Sequence, residues 1–415
     1  MKKNYLIVGL VLMTFFVISF LTNIIGPLVP DIISDFEISQ TLAGMLISSF
    51  FIAYGIMSIP AGILVEKWGE KTVMMVAFTI AGISAFLFAL SPTYIVYALS
   101  LFIIGCCMAM LQVAINPLLR VTGGEEQFAF NSVLGQLFFG LASFLSPLVY
   151  SYLVRNAANG DAPDLLNKLY ALLPEGLPWI SLYWLFGLIA VIMTAVIGTA
   201  KFPTVTLQED ERVGALKTHL DLLKNPITIL YFLSVFAYVG TEQGVANWIS
   251  QFLLTYHQYD PQTVGASTVS WFWGLMTAGT LLGLVLLKFV DSRKVLIGFS
   301  AAAIVSLTVA LLASGPVAIR AFPMVGFFAS VMWSVIISLA LNSVKSHHGS
   351  LSGILITGIA GGAVIPLIVG WLGDQVGLRT GMFFLYITLL YILSIGFWAK
   401  PLINNKTVGA SSAEH

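Results

Sequence analysis

Long apolar runs alternate along this chain with short polar or charged breaks, and each run is near the twenty or so residues a helix needs to cross a bilayer. Twelve runs can be marked: 5–26, 41–64, 72–90, 94–119, 127–153, 179–200, 228–254, 264–289, 294–313, 316–343, 350–372 and 380–400. The breaks between them carry Pro, Gly or charge, as at Glu66 to Lys71, Ser91-Pro92 and Gly123 to Glu126. The ten-residue alternating pattern of a membrane β-barrel is absent. The predicted fold class is therefore an all-α membrane protein with twelve transmembrane helices. The first run follows Met1-Lys2-Lys3. It exceeds the roughly 7–15 apolar residues of a signal peptide, and no clear small-residue cleavage site follows it. It is read as the first membrane helix.

Composition sharpens this picture. Of 415 residues, 58% are hydrophobic and only 9% are Asp, Glu, Lys or Arg. A soluble domain carries roughly a quarter of its residues charged, so lipid must cover much of this surface. Nineteen basic residues balance nineteen acidic ones. That leaves no basic footprint for nucleic acid. The two cysteines, Cys106 and Cys107, sit side by side in an apolar run and imply no disulfide framework.

The placement of charge predicts orientation. With the N-terminus cytoplasmic, the inner segments carry Lys2, Lys3, Lys67, Lys71, Arg120, Lys201, Arg212, Lys217, Lys224, Lys288, Arg293, Lys294, Lys345, Lys400 and Lys406. The outer ones carry Arg155, Lys168 and Arg379, and Arg320 lies near the outer end of helix ten. Positive charge collects in cytoplasmic loops, so both termini are expected inside a cell membrane. The longest charged stretch, Lys201 to Lys224, divides the helices six and six. The expected organisation is a six-helix bundle over 1–200, a cytoplasmic linker over 201–225, a second bundle over 226–402 and a cytoplasmic tail over 403–415.

The turn between helices two and three reads Gly62-Ile-Leu-Val-Glu66-Lys67-Trp68-Gly69-Glu70-Lys71. It resembles the G-x-x-x-D-R-x-G-R-K signature of the major facilitator superfamily, with Glu66 where the family has Asp. A weaker echo stands at Gly283, Lys288, Asp291, Arg293 and Lys294, the same place in the second half. Further stretches narrow the likeness: Pro60-Ala61-Gly62, Gln112 with Asn116-Pro117, Tyr238-Val239-Gly240-Thr241-Glu242, Phe272-Trp273-Gly274, and Gly361 to Pro366 followed by Gly370 and Asp374. Together they resemble the fucose–proton symporter family, which includes glucose/galactose permeases. The resemblance implies two six-helix bundles around a central cavity, no enzymatic activity and no cofactor beyond a transported proton or sodium ion. It makes Gly62, Glu66, Lys67, Gly69 and Lys71 a conformational motif, with the acid facing the start of helix eleven at Gly349 and Ser350. There are departures. Gly26 matches the family's helix-one acid, Gln112 a helix-four acid, Thr280 a helix-eight Arg and Phe139 a helix-five Asn.

With helix one ending at Gly26, every acid except Glu242 falls in a loop, a tail or a helix end. A carboxylate near the bilayer centre costs several kcal/mol unless it is neutral, paired or wetted, so Glu242 is the candidate ion-coupling residue. Gly240 and Gly244 flank it, suiting either a local unwinding of helix seven or close helix packing. Gln112, Asn116, Gln136, Gln243 and Asn247 are amides at similar depth, and amides read hydroxyl groups because they both donate and accept. Trp248 and Trp273 offer flat faces to a sugar ring, or serve packing. His347 and His348 lie in a cytoplasmic turn. No HExxH, Walker or GxSxG pattern is present in a fitting context. The expected function is ion-coupled symport of a sugar or sugar-like solute, with efflux or exchange of a less polar solute as the alternative. A monomer is expected.

Overall fold

The computed structural model describes residues 5–124, 127–159, 163–174, 176–203, 222–344 and 348–402. These residues form helices and connecting turns, with no strand among them. The first span is broken into α1 (Tyr5–Thr22) and α2 (Ile25–Asp35). The second and third share α3 (Gln40–Leu90). The fourth is α4 (Tyr94–Gly123) and the fifth α5 (Phe128–Asn159). The short α6 (Asp164–Tyr170) precedes the sixth span, α7 (Ser181–Thr199). The second half begins with α8 (Pro226–Ala246) and α9 (Ile249–His257), which together make the seventh span. Then come α10 (Ala266–Leu286), α11 (Ser292–Leu312), and α12 (Gly315–Ala329) with α13 (Met332–Leu341). The eleventh span is α14 (His348–Thr357) with α15 (Gly361–Val376), and the twelfth α16 (Leu378–Met382) with α17 (Leu385–Trp398).

Eleven of the described stretches are long and apolar enough to cross a membrane. One of them, Gln40–Leu90, has 51 residues. At about 1.5 Å per residue it is more than twice the thickness of a bilayer core. Gly69, at φ 76° and ψ 158°, breaks it into two crossings. No side chain tolerates that backbone conformation well, so glycine is required at the turn. The twelve runs of the sequence thus stand as spans. Most of the linker, residues 204–221, the tail from 403 and His347 lie outside the described residues.

The halves repeat one packing scheme. In the first half the first span packs on the fifth, the second on the fourth and the third on the sixth. In the second half the seventh packs on the eleventh, the eighth on the tenth and the ninth on the twelfth. The repeat reaches single residues. A Cβ on Gly105 in α4 would lie 2.3 Å from the Phe50 carbonyl, and one on Gly326 in α12 would lie 2.3 Å from the Phe272 carbonyl. In lipid there is little hydrophobic drive between helices, so small residues that admit close backbone contact hold such pairs together. Large side chains such as Leu90, Ile95 and Phe397 point outward and are about 70% exposed, as a lipid-facing surface requires.

The halves meet through the second and eleventh spans, the fifth and eighth, and the first and seventh. Ser48 donates to the Ala363 carbonyl at 2.6 Å, and Ser270 to the Phe144 carbonyl at 2.6 Å. These contacts, with those of Thr41 and Asp374, seal the end where the second span begins and the eleventh ends.

Candidate functional site

Two breaks face each other at mid-depth. The first lies at Asn23 and Ile24, between α1 and α2. Its cause is Pro27, which has no N–H to donate four residues back. Pro27 falls in the first turn of α2, where N–H groups go unused anyway, so the helix resumes and runs on to Asp35. The second break lies at Asn247 and Trp248, between α8 and α9. Here the Asn247 side chain donates to the Gln243 carbonyl at 2.9 Å, in competition with the backbone, and the Trp248 N–H shortens its bond to Val245. Gly26 lets the breaks meet: a Cβ on it would stand 2.6 Å from the Ala246 carbonyl. The position where the resemblance expects an acid is thus filled by the backbone of the other half.

A chain of polar groups crosses this seam. The Tyr238 hydroxyl lies close to the Glu242 carboxyl. Gln243 Nε2 donates to Glu242 Oε1 at 3.1 Å and to Asn23 Oδ1, in the other half, at 3.4 Å. Gln243 Oε1 accepts from Asn247 Nδ2 at 3.0 Å. Asn23 Nδ2 donates to Ser143 Oγ at 2.8 Å, and Ser143 shares a hydrogen bond with Ser19 at 2.6 Å. Gln243, Asn247, Asn23 and both serines are buried, while Glu242 is half-buried. Low-dielectric surroundings make every unmade bond in such a network costly, so it holds one arrangement tightly.

The structure therefore brings together Glu242, Gln243 and Asn247. Gln112 is half-buried, and Asn116 and Gln136 are exposed. Trp273 is buried, and its indole N–H has no hydrogen-bond partner among the described residues. Trp248 is spent otherwise. It is fully buried and donates to the Pro366 carbonyl at 3.1 Å, within its own half. Gly240 and Gly244 do not mark an unwound stretch. Helix α8 runs through both, and a Cβ on either would collide with Ile365 or Leu385. Close packing decides those two positions, and the break falls beyond them at Asn247.

Four residues escape the sequence reading. Asn23, Ser19 and Ser143 look like ordinary polar residues in apolar runs, although Asn23 beside Gly26-Pro27 carried a signal of a helix break. Asp31 is no loop residue, because the first span extends past Gly26 to Asp35. Its carboxyl accepts from the Tyr150 hydroxyl and, across the seam, from Gln262 Nε2 at 3.5 Å. Of the signature turn, Glu66 is exposed, and Lys71 donates to the carbonyls of Gly198 and Ala200, both at 2.8 Å. In the echo of the second half, Asp291 caps α11 by accepting from the Arg293 N–H at 2.9 Å.

Two repeated helical bundles with a polar seam at mid-depth define a membrane transporter. The chain belongs to the Major Facilitator Superfamily, whose profile matches residues 11–365. It is 31% identical over 406 residues to a glucose/galactose transporter of Brucella abortus, covering 95% of this chain and 94% of that relative. It is 24% identical over 398 residues to the L-fucose-proton symporter of Escherichia coli, covering 91% of this chain and 89% of that one. Among solved structures, a bacterial homologue of the human lysosomal transporter Spinster, inward-facing and unoccupied, superposes with a TM-score of 0.81. The two share 14% identity, with 96% and 98% of the chains covered. The relatives are transporters, and this chain is a transporter rather than an enzyme.

Proposed function

We propose that this protein is an ion-coupled symporter of a sugar or sugar-like solute, driven by protons or sodium and working by alternating access. The observation that carries the reading is the chain from Glu242 through Gln243 to Asn23, which ties the mid-membrane acid of one half to the other half. A solute or ion that engages Gln243 or Asn23 must compete with that tie, so binding acts on the contact that links the bundles. Gln112, Asn116 and Gln136 supply donors and acceptors for hydroxyl groups, and Trp273 supplies an apolar face and a free indole N–H. The sugar transport named for the two relatives above agrees with this chemistry. The lysine and arginine asymmetry supports cytoplasmic termini, which would make the sealed end the outer one. A less polar solute remains the second reading. Its support is that Gly26 leaves no room for an acid and that Thr280 bonds to its own helix at Met276.

A thermal-shift screen of the purified protein tests the reading. Glucose, galactose, fucose, nucleosides and amino acids are compared, with and without sodium and at several pH values. A ligand held at a hundred times its Kd stabilises the folded state by about 2.7 kcal/mol. A hexose is expected to raise the melting temperature. Stabilisation by apolar solutes alone would favour the second reading.

Glu66 is proposed to act on conformation, not on binding. Glu66→Gln is expected to shift the balance between the two open states and leave equilibrium solute binding intact. The same screen reads this. Complete loss of binding in a well-folded variant would assign Glu66 to the site instead.

A further inference from the structure

The signature spacing occurs twice in this chain. Gly62, Glu66, Gly69 and Lys71 stand at offsets of zero, four, seven and nine, and so do Gly370, Asp374, Gly377 and Arg379. The second copy lies at the opposite face, because the second and eleventh spans run antiparallel, with Gly44 against Leu367 and Phe51 against Gly362. The geometry repeats as well. Gly69 has φ 76° and ψ 158°, and Gly377 has φ 88° and ψ 144°. In each copy the base ties the turn to its own half. Lys71 does so on the carbonyls that end α7. Arg379 does so on Tyr256 of α9, its guanidinium 4.4 Å from the ring centroid and its backbone N–H donating to the hydroxyl at 2.9 Å.

In this copy the acid reaches across the seam. Asp374 Oδ1 accepts from the Gln40 N–H at 2.9 Å, and Oδ2 accepts from the Thr41 N–H at 2.8 Å and from the Thr41 hydroxyl. Those are N–H groups that the first turn of α3 leaves without an intrahelical partner, and the helix dipole favours an anion there. Gly370 permits the approach, since a Cβ on it would lie 2.6 Å from the Gln40 carbonyl. The eighth span, equivalent in the other half, is capped from within: Asp260 accepts from the Gln262 N–H at 3.0 Å and the Thr263 hydroxyl at 2.7 Å. Ser39 caps α3 from within only at the Leu42 N–H, at 3.3 Å, so the Gln40 and Thr41 N–H groups depend on the two halves being together, whereas the cap of the eighth span does not cross between halves.

We propose that the segment from Gly370 to Arg379 is a second gating motif, and that Asp374 is the latch that holds this face of the transporter shut. Breaking the latch biases the protein toward the conformation open at that face, whatever solute it carries. The idea needs no knowledge of the solute, so its failure would leave the symport reading untouched, and the reverse.

Nitroxide labels at Ser91 and Ser314, both exposed at the sealed end of opposite halves, report the state of the face by pulsed electron resonance distances. They are introduced in the full chain with Cys106→Ala and Cys107→Ala, without added solute. Asp374→Ala is expected to raise the ratio of long to short distances roughly 2- to 30-fold, the equilibrium effect of losing one cap. Asp374→Asn keeps an acceptor oxygen without the charge and is expected to shift the ratio less, in the same direction. It answers the question if the alanine variant does not fold. Asp260→Ala removes a cap that does not cross the halves and is expected to leave the ratio unchanged. Unchanged ratios in both Asp374 variants would overturn the proposal, as would a shift in Asp260→Ala as large as that in Asp374→Ala.

Discussion

Glu242→Gln is expected to abolish uphill accumulation of solute while leaving downhill exchange measurable. Glutamine is nearly isosteric, and its carbonyl can still accept the Nε2 donation that Gln243 now makes to Glu242 at 3.1 Å. The polar chain to Asn23 is therefore kept, and with it the fold and the seam. What is lost is the charge and the exchangeable proton. One positive charge crossing 100 mV supplies about 2.3 kcal/mol. At about 1.4 kcal/mol per tenfold, that supports accumulation of roughly 40-fold. The variant is expected to fall to no accumulation at all, since nothing else at this depth in α8 can carry the charge. Exchange of solute for solute needs no ion cycle and persists. Both are measured in liposomes with an imposed proton or sodium gradient. Which gradient drives the unmodified protein identifies the ion. Undiminished accumulation by the glutamine variant would place coupling elsewhere, with Asp31 the next residue to test.

Gly26→Val is expected to remove the sealed state and most transport with it. The glycine sits where α2 meets the break between α8 and α9, and even a Cβ would stand 2.6 Å from the Ala246 carbonyl and 3.1 Å from the Asn247 Cα. Backbone cannot swing aside as a side chain can. Overpacking of this kind costs about 1–3 kcal/mol. That lowers the sealed population about 5- to 150-fold relative to the open one. In the proposed alternating access, transport must pass through the sealed state, so uptake is expected to fall by a comparable factor while solute binding to the open state survives. Radiolabelled uptake and the thermal-shift signal separate the two effects. Full uptake by Gly26→Val would show that the first and seventh spans do not need this contact. Gly26→Asp meets the same obstacle, so it is not expected to restore the acid that the family resemblance places there.

The spans were legible in the sequence because lipid imposes a one-dimensional demand. About twenty apolar residues must follow one another, with every backbone group bonded inside the helix. Glu242 was legible for the same reason: a carboxylate in such a run stands out against a high cost. Gly69 announced its turn, since the signature places a glycine where φ is positive.

Other features needed the third dimension. The end of the first span was misjudged at Gly26-Pro27, since a proline that stops one helix also suits the first turn of the next. Asp31 was hidden as a result. Asn23, Ser19 and Ser143 gave no sign of their importance, because a hydroxyl or amide in a membrane helix commonly bonds within its own turn. Their role comes from residues about 120 and 220 positions away that packing brings within hydrogen-bond reach. Gly240 and Gly244 were ambiguous for a related reason. A glycine permits both unwinding and close approach, and only the presence of Ile365 and Leu385 beside them decides for approach. Hydrophobic run length and charge bias thus determined the span count and the candidate acid. Which polar groups meet across the seam, and at which face the halves close, were decided by helix packing, because both depend on contacts between residues far apart in the chain.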